Sequence, residues 1–239
     1  LKILHYTLVQ SVPCSQMFNL TIQRGRLNFQ KGKKLTYTYT DTHTRAGGGN
    51  TERATQINVA TQNMGGFGME IRLNKRRGIT GPKVQYLRQC VKKEKPDIFV
   101  LTETRAKSVD ECKSIWLSSQ LQATMYTTTG RTSAGVIVYT NKKGLELITE
   151  SRRESDPTGH YVIGVYRTNG LNIIIGGVYL DSSGSDPIGV AAIRSLTIDL
   201  QELMQIYDTQ KIVLAGDFNV VLYANQCHSG YINKPRTSQ

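Results

Sequence analysis

Four short, largely apolar runs in this chain each stop on a polar residue, and that habit limits what the chain can fold into more than any other feature. "INVATQNMGG" delivers Asn63, "DIFVLTET" delivers Glu103, "NIIIGGVYLD" delivers Tyr179, and "KIVLAGDFN" delivers Asp217 and Asn219. Runs such as "IFVL" and "IVLA" suit strands buried on both faces, since a strand with one wet face alternates instead. Helical patterns lie between them. "PKVQYLRQCVKKEKP" sets Val84, Leu87 and Val91 on one face with Pro96 closing it, and residues 190–207 set Ile193, Leu196, Leu200, Leu203 and Tyr207 at helical spacing. "GHYVIGVYRTNGLNIIIGGVYL" reads as two strands around an Asn169-Gly170 hairpin. This mixture predicts an α/β fold with mixed sheets.

One polar residue at a strand end decides nothing. Gly216, Asp217 and Asn219 suit a plain turn, as does Asn63 ahead of Gly65 and Gly66, and a strand tyrosine such as Tyr179 suits a core. Together the four ends make sense if they converge. A carboxylate among neutral oxygen ligands is a seat for Mg²⁺, which keeps several waters and takes one or two carboxylates plus a phosphate. A tyrosine hydroxyl or an amide can donate to phosphate oxygens, and a second carboxylate can orient or deprotonate a water. That set describes metal-assisted hydrolysis of a phosphoester.

Charge points the same way. The 239 residues hold 30 basic and 18 acidic side chains, a net of +12, which suits a polyanionic partner, nucleic acid before an anionic membrane. The most apolar run is too short to span a bilayer and is broken by Gly176 and Gly177. Four scattered cysteines with no C-x-x-C pair argue against a zinc site or a disulfide framework and fit a reducing interior. Residues 1–56 hold eight basic and two acidic residues, so half of the net charge sits there. "LTYTYTDTHT" alternates like an exposed strand and "RAGGGNTERATQ" reads as a linker. The expected organisation is a basic, poorly ordered N-terminal arm over 1–56 and a larger domain over 57–239.

The order "QNMGG", "LTET", "SAGVIVYTNKKG", "GHYVIGVY", "GGVYL", "LAGDFN" resembles the endonuclease/exonuclease/phosphatase family over about residues 57–225. It is most similar to the endonuclease domains of non-long-terminal-repeat (LINE-type) retrotransposons. The resemblance implies a four-layer α/β sandwich, two mixed sheets packed face to face with helices outside. It implies Glu103 as the Mg²⁺-binding glutamate, with Mn²⁺ as a substitute, and Asn63 beside it. Tyr179 would contact the scissile phosphate, Asp217 would activate the attacking water, and Asn219 would orient the phosphate. Members of this kind nick target DNA, leaving a 3′ hydroxyl that primes reverse transcription. A monomeric chain acting on DNA in the nucleus, with a reverse transcriptase region in the same parent polyprotein, follows from that resemblance, and a membrane partner does not. The basic cluster "RLNKRRG", carrying Arg72, Lys75, Arg76 and Arg77, reads equally as a DNA-backbone loop or a solvated insertion. Thr104 and Arg105, just beyond Glu103, stand where DNA would pass.

The sequence departs from the family's pattern in two places. Leu180-Asp181 follows Tyr179 where Ala-Pro is common, and no Ser-Asp-His motif is present to supply the family's histidine. Neither His5, His43, His160 nor His228 sits in that context, and His160, opening a strand, reads as structural. The expectation is therefore a domain incomplete at its C-terminus, with an open sheet edge and activity impaired or lost. Two rival readings are a non-catalytic DNA-binding remnant, and an abasic-site repair nuclease or phosphatase of the same family.

Overall fold

A computed structural model describes residues 5–10, 18–23, 26–31, 35–44, 50–65, 81–115, 117–127, 134–141, 143–150, 159–180 and 187–218. Its first sheet carries five strands in the order β4-β5-β6-β8-β7, namely β4 (Leu35–Thr44), β5 (Asn50–Asn63), β6 (Ile98–Thr102), β8 (Ile137–Asn141) and β7 (Leu121–Tyr126). The second runs β1-β12-β11-β10-β9: β1 (His5–Gln10), β12 (Lys211–Asp217), β11 (Leu171–Tyr179), β10 (Tyr161–Thr168) and β9 (Glu146–Glu150). β2 (Phe18–Gln23) and β3 (Arg26–Lys31) form a separate antiparallel pair. Both large sheets are mixed, since β5 runs parallel to β6 and β11 parallel to β12 while their other neighbours include antiparallel strands.

Side-chain alternation on these strands generates the layers. Ile98 and Val100 of β6 face a core shared with Ile173 and Ile175 of β11 and Val213 of β12, so this core lies between the two sheets. The alternate residues Phe99 and Leu101 face outward, against Leu87 and Val91 of α1 (Pro82–Glu94) and Cys112 of α2 (Val109–Ser114). On the other sheet Ile174, Ile212 and Leu214 turn outward against Ala192, Leu196 and Leu203 of α3 (Pro187–Ile206). Helix, sheet, sheet and helix make the expected four-layer α/β sandwich. Gly177 sets how closely the sheets approach, because a Cβ there would stand 2.5 Å from Val136 and 2.9 Å from Val138 of the facing sheet.

Helix α1 begins and ends where its sequence says. Pro82 stands in the first turn, where its missing N–H costs nothing, and Lys95 takes a left-handed φ of 45° to close the helix. Lys92 and Lys93 in the last turn face the negative end of the dipole.

Strands run through the N-terminal residues. "LTYTYTDTHT" is a strand, β4, as read, but β1, β2 and β3 are strands as well. Seven of the twelve residues of the supposed linker belong to β5, because β4 pairs with it from Leu35↔Val59 to Thr44↔Asn50. Backbone pairing needs no apolar side chains, so polar residues 50–56 could extend a strand without an apolar signal. The open edge expected on the second sheet is also covered, since β1 pairs in parallel with β12 from His5↔Lys211 to Gln10↔Gly216. No described helix is long and apolar enough to cross a membrane.

Candidate active site

Parallel strands bring their C-terminal ends to the same side of a sheet, and the site is built there. β5 ends on Asn63, paired with Thr102 at the end of its parallel neighbour β6, and Glu103 follows directly. On the other sheet Tyr179 and Asp217 are register partners at the ends of β11 and β12. Sheet packing then sets the two pairs against each other.

Asn63 joins them. Its Nδ2 donates to Glu103 Oε1 at 3.0 Å and to Asp217 Oδ2 at 2.8 Å, so one amide nitrogen answers two carboxylates 40 and 154 residues away in the chain. Carboxylates only accept, which makes this the single consistent orientation of the amide. Its Oδ1 accepts from the Gly65 N–H at 2.9 Å, and Lys83 Nζ donates to the Met64 carbonyl at 2.9 Å, tying the turn to the start of α1.

Glu103 stands at a left-handed φ of 50° and Arg105 at 53°, backbone values that non-glycine residues hold only under constraint from their surroundings. The constraint is visible. Thr104 N–H donates to the Gly135 carbonyl at 3.1 Å and Arg105 N–H to the Ala134 carbonyl at 3.0 Å. Glu103 turns back toward the site as a result, and the Arg105 guanidinium comes within 3.9 Å of Glu103 Oε2 with 42% of its side chain exposed. Asp217 is 8% exposed and Tyr179 5%. Gly216, just before Asp217, has φ +152°, and a Cβ there would run into the Val178 carbonyl.

The structure therefore brings together Asn63, Glu103, Tyr179 and Asp217, with Arg105 at the rim. Thr104 is a correction: the sequence reading set it beside DNA, but it is fully buried, so its side chain has no route to a backbone phosphate. Asn219, Arg72, Lys75, Arg76, Arg77 and His228 lie outside the described residues. One residue that the sequence reading took as structural lies against this group. His160, 2% exposed, stacks on Tyr179 with ring centroids 6.2 Å apart and planes 22° from parallel. The hairpin signal could have found it, because counting back from the Asn169-Gly170 turn sets residue 160 opposite 179.

Among the described residues no three His, Cys, Asp or Glu side chains form a metal cluster. Mg²⁺ does not require one. The donors here are hard oxygens, two of them carboxylates converging on one neutral nitrogen, and a divalent cation relieves that concentration of negative charge. The donor set fits a hard divalent cation held chiefly by Glu103; Asn63, expected beside it as a ligand, turns its amide nitrogen to Glu103 and its oxygen to the Gly65 N–H, so it steadies the carboxylate instead.

Comparison with known proteins adds a family. The sequence pattern described as "Endonuclease/Exonuclease/phosphatase family" matches residues 60–236. No curated protein sequence matches the chain. Among solved structures, the endonuclease domain of TRAS1, a telomere-specific non-LTR retrotransposon, is 14% identical at a TM-score of 0.42, covering 68% of this chain and 59% of that one. The 3′ phosphatase NExo from Neisseria, bound to a product DNA hairpin, is 18% identical at 0.47, covering 72% and 61%. TDP2 from C. elegans is 17% identical at 0.43, covering 58% and 43%. The chain thus spans less than two thirds of the length of each of these structures.

Proposed function

The chain belongs to the endonuclease/exonuclease/phosphatase family, and from that premise we propose that its converged strand ends hydrolyse a phosphodiester of DNA, nicking one strand as a retrotransposon endonuclease does. The observation that carries this reading is the Asn63 amide bonded to both Glu103 and Asp217. It brings two carboxylates from different sheets to one amide, an arrangement that neither a turn nor a core requires and that suits one carboxylate for a metal and one for a water.

The roles follow from position. Asp217, held through Oδ2 by Asn63, orients the attacking water with its carboxylate and takes its proton. Tyr179, its register partner, donates its hydroxyl to a non-bridging phosphate oxygen. Arg105, half exposed at the rim, meets a neighbouring phosphate and sets the register of the duplex. Glu103, steadied by the Asn63 amide, would hold Mg²⁺, which when bound neutralises charge on the phosphate and the leaving oxygen. The +12 net charge supports a DNA substrate, and the nucleus is the compartment this reading proposes for it.

Nicking of supercoiled plasmid tests the proposal, with Mg²⁺ or Mn²⁺, with EDTA, and with Asp217→Ala. We expect open circles only with metal, and a loss of roughly 100-fold or more in the variant, the scale of general-base catalysis. A folded chain that makes no nick with either metal, or an Asp217→Ala chain as active as its parent, would sink the reading. Salt-sensitive DNA binding without nicking would point to a binding remnant instead. Release of phosphate from a 3′-phosphorylated oligonucleotide in the same incubation would point to a phosphatase.

A further inference from the structure

His160 takes no part in the chemistry proposed above, yet the fold secures it against Tyr179 in two ways. Their rings stack at 6.2 Å and 22°. Their backbones are joined as well, because Tyr179 N–H donates to the His160 carbonyl at 2.6 Å. The residue before it extends the connection. Gly159, at φ +77°, turns the chain into β10, and its carbonyl accepts from Gly135 N–H at 3.0 Å. Gly135 and Ala134 are the residues whose carbonyls hold Thr104 and Arg105. Beyond Tyr179, Leu180 N–H donates to the Asp217 carbonyl at 2.8 Å. A continuous line of backbone contacts therefore leaves the Glu103 turn of one sheet, passes through 134–135 and 159–160, and reaches Tyr179 and Asp217 on the other. On that line the His160 ring, and not only its backbone, packs against a residue of the site.

We propose that His160 is a positioning residue for Tyr179: its ring fixes the phenol at the strand end, so that the hydroxyl is already aimed when a phosphodiester arrives. The inference rests on the function proposed above, which gives the hydroxyl its target. Tyr179 is already packed at the strand end, so the His160 ring acts on the direction of its phenol, and loosening one such side chain is worth roughly a two- to tenfold change in affinity. Parallel or offset aromatic faces at this separation attract beyond simple burial, so the imidazole contributes a defined orientation as well as volume.

The test uses three variants of the full chain and one combination. His160→Leu fills the space without a π face, His160→Phe restores the face, and Tyr179→Phe removes the hydroxyl. Affinity for a fluorescein-labelled DNA duplex is read by anisotropy, with Ca²⁺ in place of Mg²⁺ to hold back turnover. We expect His160→Leu and Tyr179→Phe each to weaken binding by roughly two- to tenfold, their combination to weaken it no further, and His160→Phe to bind like the parent. A merely structural histidine would cost the same in both tyrosine backgrounds, and that additivity would overturn the proposal. A second readout needs no DNA. In a chain with ¹³C-labelled tyrosine rings, the Tyr179 resonance, assigned by its loss in Tyr179→Phe, should move in His160→Leu and return in His160→Phe. A resonance that stays in place overturns the positioning claim. A parent chain that binds no DNA would overturn the functional reading instead, leaving the tyrosine spectrum to decide the role of His160.

Discussion

An amide nitrogen has two hydrogens, and Asn63 spends both on carboxylates that belong to different sheets. An aspartate at that position would add a third negative charge and remove both donors, so the choice of asparagine is itself chemical. The residue before Asp217 is chosen on steric grounds. Gly216 holds φ +152°, with the Val178 carbonyl where a Cβ would be. Alanine there combines backbone strain of about 1–3 kcal/mol with overpacking of a similar size. At about 2–4 °C of melting temperature per kcal/mol for a domain of this length, Gly216→Ala should lower the thermal midpoint by more than about 5 °C, read by circular dichroism. An unchanged midpoint would mean that the strand end relaxes freely, and Asp217 would not then be held as described. The glycine in "LAGDFN" reads from sequence only as turn chemistry; the obstacle that demands it is a carbonyl on another strand.

Elements carry a second kind of constraint, visible in the groups they bury. Cys112 of α2 is fully buried and Cys90 of α1 only partly. Burial, with the Glu111 charge adding to it, pushes the Cys112 thiol from 9.0 up to about 12. Burial also raises the Tyr139 hydroxyl, which donates to the Ile115 carbonyl at 3.0 Å, and the Tyr166 hydroxyl, which lies 2.6 Å from Thr124 Oγ1. All three keep their protons longer in the folded state than in the unfolded chain. Their stabilisation is therefore complete below the unfolded values and drains away as pH climbs past them toward the folded ones. Urea midpoints should hold level from pH 7 to 8.5 and fall above pH 9, and a midpoint still level at pH 10.5 would contradict the burial. Alkylation of the native chain at pH 8, mapped by peptide mass spectrometry, should modify Cys90 and spare Cys112. At this scale the sequence was legible where local chemistry decides. Pro82 and Pro96 bracket α1, and Asn169-Gly170 sets the β10–β11 register. It misled where a partner decides: Ile193, counted with the buried face of α3, is 45% exposed, while Asp199 is buried with the Tyr161 hydroxyl donating to it at 3.0 Å.

On the scale of the whole molecule the least legible contact is β1 on β12, between residues at opposite ends of the described chain. Nothing local marks it, because parallel pairing across such a separation leaves no turn signature, and residues 1–56 read by composition as an arm. The physical consequence reaches the site. β12 is held by β11 on one side and β1 on the other, and it ends on Asp217. Removing residues 1–12 deletes β1 while leaving β2 to β5 in the chain, and exposes the N–H and C=O groups along one side of a strand that is otherwise interior. A bare strand edge recruits other chains and frays. The shortened chain should melt earlier, run partly as oligomers on size exclusion, and exchange the amide hydrogens of residues 212–216 faster while those of β6, on the other sheet, keep their protection. If the nuclease reading holds, nicking should fall with that protection, since the water-orienting carboxylate sits at the loosened end. A shortened chain that stays monomeric, melts with its parent and protects β12 as before would remove β1 from the account of how Asp217 is held, and leave that work to β11 and Asn63.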